Sequence, residues 1–187
     1  MQLRRSLARF TPAAALIPAL ALAACGDSGT GPDRLTRDDI GGDYAVCSLA
    51  FAPSGDYPPA VDLLATLETP QNTQLQLAKT SDQFSLLFRL KDGGVTRSLS
   101  GTYQLGSDGV TLSFSNAADA RAVLLLPQRV ALRFDTGPKR LTSRENATAY
   151  IIPKSEVERV SKQSYPNAKD QIDGTLSASF SAGGCGA

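Results

Sequence analysis

The sequence contains no histidine and no tryptophan, a single methionine and three cysteines in 187 residues. Without an imidazole there is no Ser-His-Asp or Cys-His arrangement, no zinc site of the histidine kind, and no side chain that titrates near neutrality unshifted. Glutamate is scarce too, with Glu68, Glu145, Glu156 and Glu158 the four present. A glycosidase needs two acids flanking a bond; Glu156 and Glu158 find sufficient explanation at a helix N-terminus, and a chain that is not an enzyme is expected. Asp38, Asp39 and Asp43 around Gly41-Gly42 do not have the spacing of an EF-hand loop, so neither metal nor cofactor is expected. An excess of charge of one sign is also missing, since 19 Lys and Arg stand against 18 Asp and Glu. The electrostatic case for nucleic-acid binding is therefore absent. Long apolar runs are lacking as well. Ala13 to Leu22 is too short for a bilayer span of about 20 residues, and Pro12 and Pro18 oppose a stable helix.

That short run nevertheless has a layout. Arg4, Arg5 and Arg9 precede it, the small residues Ala23 and Ala24 follow it, and Cys25 comes next. These are the parts of an export signal. Leu22-Ala23-Ala24-Cys25, followed by Gly26-Asp27-Ser28-Gly29-Thr30-Gly31-Pro32, resembles the lipobox and tether of a bacterial lipoprotein. An ordinary secretory cleavage site is the alternative. The resemblance implies that residues 1–24 are removed and that Cys25 becomes the first mature residue. It would carry thioether-linked diacylglycerol, often with a further chain such as palmitate on its amine. The membrane is then a partner through acyl chains, at about 0.8 kcal/mol per buried CH₂. Gly26 stands where an Asp would retain such a protein at the inner membrane, so the resemblance implies a cell-envelope location at the outer membrane. Arg4-Arg5 partly resembles a twin-arginine signal, but an ordinary positive n-region is the preferred reading.

Removing residues 1–24 takes three arginines and no acid, leaving 16 basic against 18 acidic side chains. Residues 25–39 read as the lipidated cysteine and a flexible tether rich in Gly, Ser, Thr, Pro and Asp. Residues 40–187 have the size of one domain. Three cysteines allow three pairings. If Cys25 is acylated as the resemblance implies, Cys47 and Cys185 remain, in a compartment where a disulfide persists.

The domain alternates. Phe84, Leu86, Phe88 and Leu90 interleave with Ser85, Leu87 and Arg89; Leu99, Gly101, Tyr103 and Leu105 with serines, Thr102 and Gln104; Val110, Leu112 and Phe114 with Thr111 and Ser113. Period two marks strands with one buried face. The same pattern touches Leu75 and Leu77, Val130 to Phe134, and Leu176 to Phe180, with further strands expected at Tyr44 to Phe51 and Ala147 to Ile152. Asp92-Gly93-Gly94, Ser107-Asp108-Gly109, Leu126-Pro127-Gln128 and Thr136-Gly137-Pro138 supply turns. Such spacing predicts about nine antiparallel strands, as a barrel or a β-sandwich. Ser155 with Glu158 predicts a capping box and a helix to about Gln163. Val61 to Leu67 allows a turn or two more, and the rest reads as sheet and loop.

A sequential antiparallel sheet, one short helix and a last strand resemble the lipocalin-like barrels, with Gly42-Asp43-Tyr44 placed like their Gly-x-Trp and Gly101-Thr102-Tyr103-Gln104-Leu105 resembling a phrase of their small bacterial members. The resemblance implies an all-β, single antiparallel up-and-down barrel. Phe84, Phe88, Tyr103, Phe114 and Phe134 would face inward, lining either a packed core or the pocket of one small ligand. Gly101 and Ala178 are the small inward residues that would leave room for it. Two functions are compatible with this: a non-catalytic binding module for a small apolar or amphipathic molecule, or a structural or assembly lipoprotein that meets an envelope protein through its outer surface. Arg129, Arg133, Lys139, Arg140 and Arg144 lie on the outward side of one strand and its turn, diluted by Asp135 and Glu145, and read as a solvated face.

Overall fold

The structure is a computed structural model that describes residues 34–54, 60–144 and 149–186. The lipobox, Cys25, Glu145 and the first residues of the strand expected at Ala147 lie outside the described residues. Ten strands are described: β1 Gly42–Pro53, β2 Val61–Asp62, β3 Gln74–Leu77, β4 Gln83–Arg89, β5 Thr96–Leu105, β6 Gly109–Phe114, β7 Arg129–Asp135, β8 Arg140–Ser143, β9 Ala149–Pro153 and β10 Gln171–Ser181. Three helices accompany them: α1 Arg37–Ile40, α2 Ala117–Leu124 and α3 Lys154–Ser161.

Eight strands close a ring in the order β1, β3, β4, β5, β6, β7, β8, β10, with β10 returning to β1. Every step of the ring is antiparallel. This is the all-β, up-and-down barrel; the sandwich is not formed. The alternation explains it, because Phe84, Leu86 and Phe88 point inward with Leu99, Tyr103, Val110, Leu112 and Phe114, all buried. On the long strand β1 the register shifts between Val46 and Ser48. That extra residue lets Val46 and Leu49 both face the core, an odd spacing that a regular strand forbids. The core is drawn from Ile40 through Phe180, so the domain carries its own interior.

The two ends of the barrel are built differently. At the end holding the β3–β4, β5–β6 and β7–β8 turns, here the near end, α1 packs Ile40 into the core at 0% exposure. Its first turn is a reciprocal cap: Asp39 N donates to the Thr36 hydroxyl at 3.3 Å, and Thr36 N donates to the Asp39 carboxylate at 2.8 Å. The Thr36 hydroxyl and amide hold the Asp39 carboxyl below its ordinary range. This capped turn falls on residues that composition alone assigns to the end of the tether. Tyr44 Oη donates to Ile40 O at 2.6 Å. The Cys47–Cys185 disulfide, as expected, ties the C-terminal tail to the bulge of β1, with Cα atoms 5.0 Å apart.

At the far end β1 and β10 outrun the ring. β2 pairs with Ala50 and Phe51, and β9 with Gln171 to Thr175, giving an open extension in the order β2, β1, β10, β9. α2 and α3 meet here: Arg121 Nε lies 2.8 Å from Glu156 Oε2, and Arg159 donates to Ala122 O. Tyr150 Oη donates to Leu125 O at 2.6 Å, and its ring meets Phe51 edge-on at 5.4 Å.

Local expectations need two corrections, at α3 and at α2. Ser155 does not cap α3; Pro153 holds the N-cap position without a side-chain bond, Lys154 N donates to Asp170 O at 2.8 Å, and the helix ends at Ser161, short of Gln163. Glu158 instead accepts from Tyr165 N at 2.8 Å. Val61 to Leu67 forms the strand β2 and a 3₁₀ turn at Leu64–Thr66, where Asp62 Oδ1 accepts from Leu64 N at 3.0 Å and Ala65 N at 3.3 Å. This is the single helical turn that the segment allows, caught at its start by Asp62. α2 lies in what reads as loop, capped by Asn116, whose side chain accepts from Asp119 N at 3.1 Å. Strong helix formers follow that cap.

Candidate functional site

The five aromatics Phe84, Phe88, Tyr103, Phe114 and Phe134 are brought together inside the barrel, each between 2% and 7% exposed. Phe84 and Phe114 meet edge-on with centroids 5.1 Å apart. Tyr103 Oη donates to Ala78 O, which turns its one polar atom to the wall.

The room expected opposite small residues is occupied. A Cβ on Gly101 would stand 2.0 Å from Ser113 O and 2.7 Å from Phe84 Cε1. At Gly174 it would meet the Phe51 ring at 2.3 Å. Both glycines therefore exist so that an aromatic ring can lie flush on the strand. Ala178 is 3% exposed and belongs to the same core. A ligand in the lumen would have to displace these rings.

Cys25 lies outside the described residues, and the bridge removes Cys47 and Cys185 as nucleophiles. Among the described residues, no group of three or more His, Cys, Asp and Glu is placed to hold a metal. The basic set stays on the outer face. Arg133 and Arg140 border a depression of about 540 Å³ with Asp135 and Thr142, and Arg144 pairs with Asp108.

A second cleft, about 370 Å³, lies at the far end. One wall is Ala60, Val61, Asp62, Ala65 and Thr66; the other is the end of α3, from Val160 to Gln163; Lys91 and Asp92 of the β4–β5 turn close one side. Its apolar floor runs into the core, because Val61 and Val160 are 7% and 6% exposed. Lys162 ends α3 with a left-handed φ of 58° and its Nζ lies 2.9 Å from Asp92 Oδ2. A volume near 300 Å³ or more with an apolar floor and a few polar groups suits a small ligand.

None of its residues stands out in the sequence. Val61 and Val160 are ordinary apolar positions, and three segments far apart along the chain meet only once the barrel is closed. Compared with protein-family models, curated proteins and solved structures, the chain shows no match.

Proposed function

We propose that this chain is a lipid-anchored cell-envelope protein, held on the outer membrane through Cys25, whose barrel is a non-catalytic binding module for a small amphipathic molecule, taken at the far-end cleft and not in the lumen. The observation that carries the siting is the contrast between a lumen filled by Phe84, Phe114 and Phe51 and an open cleft of about 370 Å³ whose floor continues into the core. The anchoring rests on the lipobox alone. Cells fed labelled palmitate test it: the wild type incorporates label and floats with membranes, and Cys25→Ser does neither. Label retained in that variant overturns the anchor.

For binding, the test is the native mass of residues 26–187 recovered from a periplasm, taken before and after denaturation. Extra mass lost on denaturation is expected. A bare mass in a folded sample contradicts the reading.

A second reading, contact with an envelope protein, is favoured by one observation. Ile151 on β9 is 55% exposed, and among the described residues β9 pairs with β10 alone. A free edge bearing an exposed apolar side chain accepts another strand. Crosslinking in cells that is lost with Ile151→Lys would support it.

A further inference from the structure

Charge is divided unevenly over the molecule. Residues 129–145 carry five basic side chains against two acids, whereas the other residues from 25 onward carry eleven against sixteen. β7 sets its share on the outer wall, because Arg129 and Arg133 alternate with the buried Val130, Leu132 and Phe134. Three of the five basic groups have an acid to answer them. Asp108 pairs with Arg144, Asp135 stands opposite Arg140 in register, and Asp39 lies within electrostatic reach of Lys139. Arg129 and Arg133 are left. Both are exposed, and among the described residues neither guanidinium has an ion pair or a hydrogen bond. Their neighbours across the sheet are hydroxyls, Ser113 beside Arg129 and Thr142 beside Arg133. Two depressions of about 540 and 530 Å³ share Arg133 and Thr142.

We propose that the outer wall of β7 and β8 lies on anionic lipid headgroups, with Arg129 and Arg133 on their phosphates and the Ser113 and Thr142 hydroxyls beside them. The proposal rests on the anchoring reading above and gives the anchored barrel a face toward the membrane. A planar guanidinium meets a phosphate through two parallel N–H groups. Four residues along a strand separate the two arginines by about 13 Å, which spreads the charge over a surface instead of focusing it on one small anion. The chain also supplies the approach. It enters the domain through α1, within reach of Lys139 on the β7–β8 turn, and Cys25 stands nine residues before Arg34, the first described residue. Nine residues reach at most about 30 Å, and the seven of β7 cover about 20 Å, so the wall can rest on the bilayer that holds the acyl chains. Acyl chains and a basic patch then act together as two membrane signals.

The experiment uses residues 26–187, which hold the whole core and lack the acyl chains, so that the wall is read without the anchor. Sedimentation with vesicles of equal parts phosphatidylcholine and phosphatidylglycerol is compared with sedimentation with phosphatidylcholine alone. Binding to the anionic vesicles is expected, and it should fall as salt rises. Arg133→Gln is expected to weaken it about fivefold, the scale of one basic residue at a charged membrane surface, and Arg129→Gln with Arg133→Gln about twenty-five fold. Both positions are exposed, so the variants keep the fold. Lys169→Gln removes the same charge from the exposed loop before β10 and is expected to leave binding unchanged. Asp135→Asn keeps an oxygen for Gly137 N, which lies 3.2 Å from Asp135 Oδ1, and is expected to tighten binding.

Equal binding to the two kinds of vesicle, or a loss with Lys169→Gln as large as that with Arg133→Gln, overturns the proposal. Inorganic phosphate that releases the protein more than chloride of equal ionic strength would assign the arginines to a discrete phosphate site and overturn it too. No binding to anionic vesicles by a folded sample overturns the lipid surface, and a crosslink from this wall to an acidic protein in cells would then give the face to a protein partner. None of these outcomes touches the anchor, which is decided separately by palmitate at Cys25.

Discussion

The near and far ends of this barrel enclose one core but are made by different means. The near end joins its strands by short turns and seals itself with a capped four-residue helix, a buried Ile40 and a disulfide. The far end lets β1 and β10 run past the ring, pairs them with the short strands β2 and β9, and brings in α2 and α3, which bury Leu124 and Val157 in the core and meet through Arg121–Glu156 and Arg159–Ala122 O. Val95 and Ile151, the exposed large apolar residues among those described, both belong to it. The near end keeps a depression on its outer wall beside Arg133, Asp135 and Arg140. Irregular closure leaves a cleft, an edge and side chains with no structural duty.

The contrast can be broken by cutting the near-end staple. Cys47→Ser with Cys185→Ser is expected to cost about 2–5 kcal/mol, read as a lower denaturant midpoint. Hydrogen exchange should quicken at Ala182, whose N–H donates to Lys139 O at 3.1 Å, while α2 and α3 keep their protection. Equal loss in α2 and α3 would mean that the ends do not open separately. A smaller effect follows at the far end. Gly174→Ala drives a Cβ into Phe51 and toward Ala52 O at 2.7 Å, with an expected cost of about 1–3 kcal/mol. Phe51 meets the Tyr150 ring edge-on, so the disturbance should pass to β9.

Smaller again is Tyr150→Phe, which removes the bond to Leu125 O and is expected to cost about 1 kcal/mol, with faster exchange confined to the C-terminal turn of α2. Alkaline titration sharpens the comparison from the other side. Burial pushes the Tyr44 phenol up to about 12, with nearby Tyr103 adding to the shift, and also raises Tyr103 and Tyr150. Each folded-state value lies above the ordinary 10.0, so the folded chain holds protons that the unfolded chain would lose. That share of stability is whole below pH 10 and, for Tyr44, is lost as pH rises from about 10 through 12. Tyr44→Phe should flatten this part of the curve, checked by thermal melts across the range.

Much of the barrel is legible in the sequence, because most wall strands state their inward face by alternation and Phe84 to Phe88 or Leu99 to Tyr103 admit one register of burial. β8 is not legible, since Leu141 is its only buried residue and a single apolar position has no period. α1 and α2 escape for another reason. Thr36 and Asn116 announce caps, but a run of four or eight residues is too short to hold on propensity alone and is kept helical by what it packs against, Ile40 and Leu124 on the core. The inward aromatics are legible as a set, whereas whether they line a space or fill one depends on ring against strand at Gly101 and Gly174. The far-end cleft is beyond any local pattern. Its walls come from β2, the β4–β5 turn and the end of α3.

The most direct measurement is a crystal of residues 26–187 soaked in a brominated hexanoate, with the bromine located by its anomalous scattering. The account predicts one peak outside the barrel, over Val61 and Val160. A peak inside, among Phe84, Phe88 and Phe114, would contradict it.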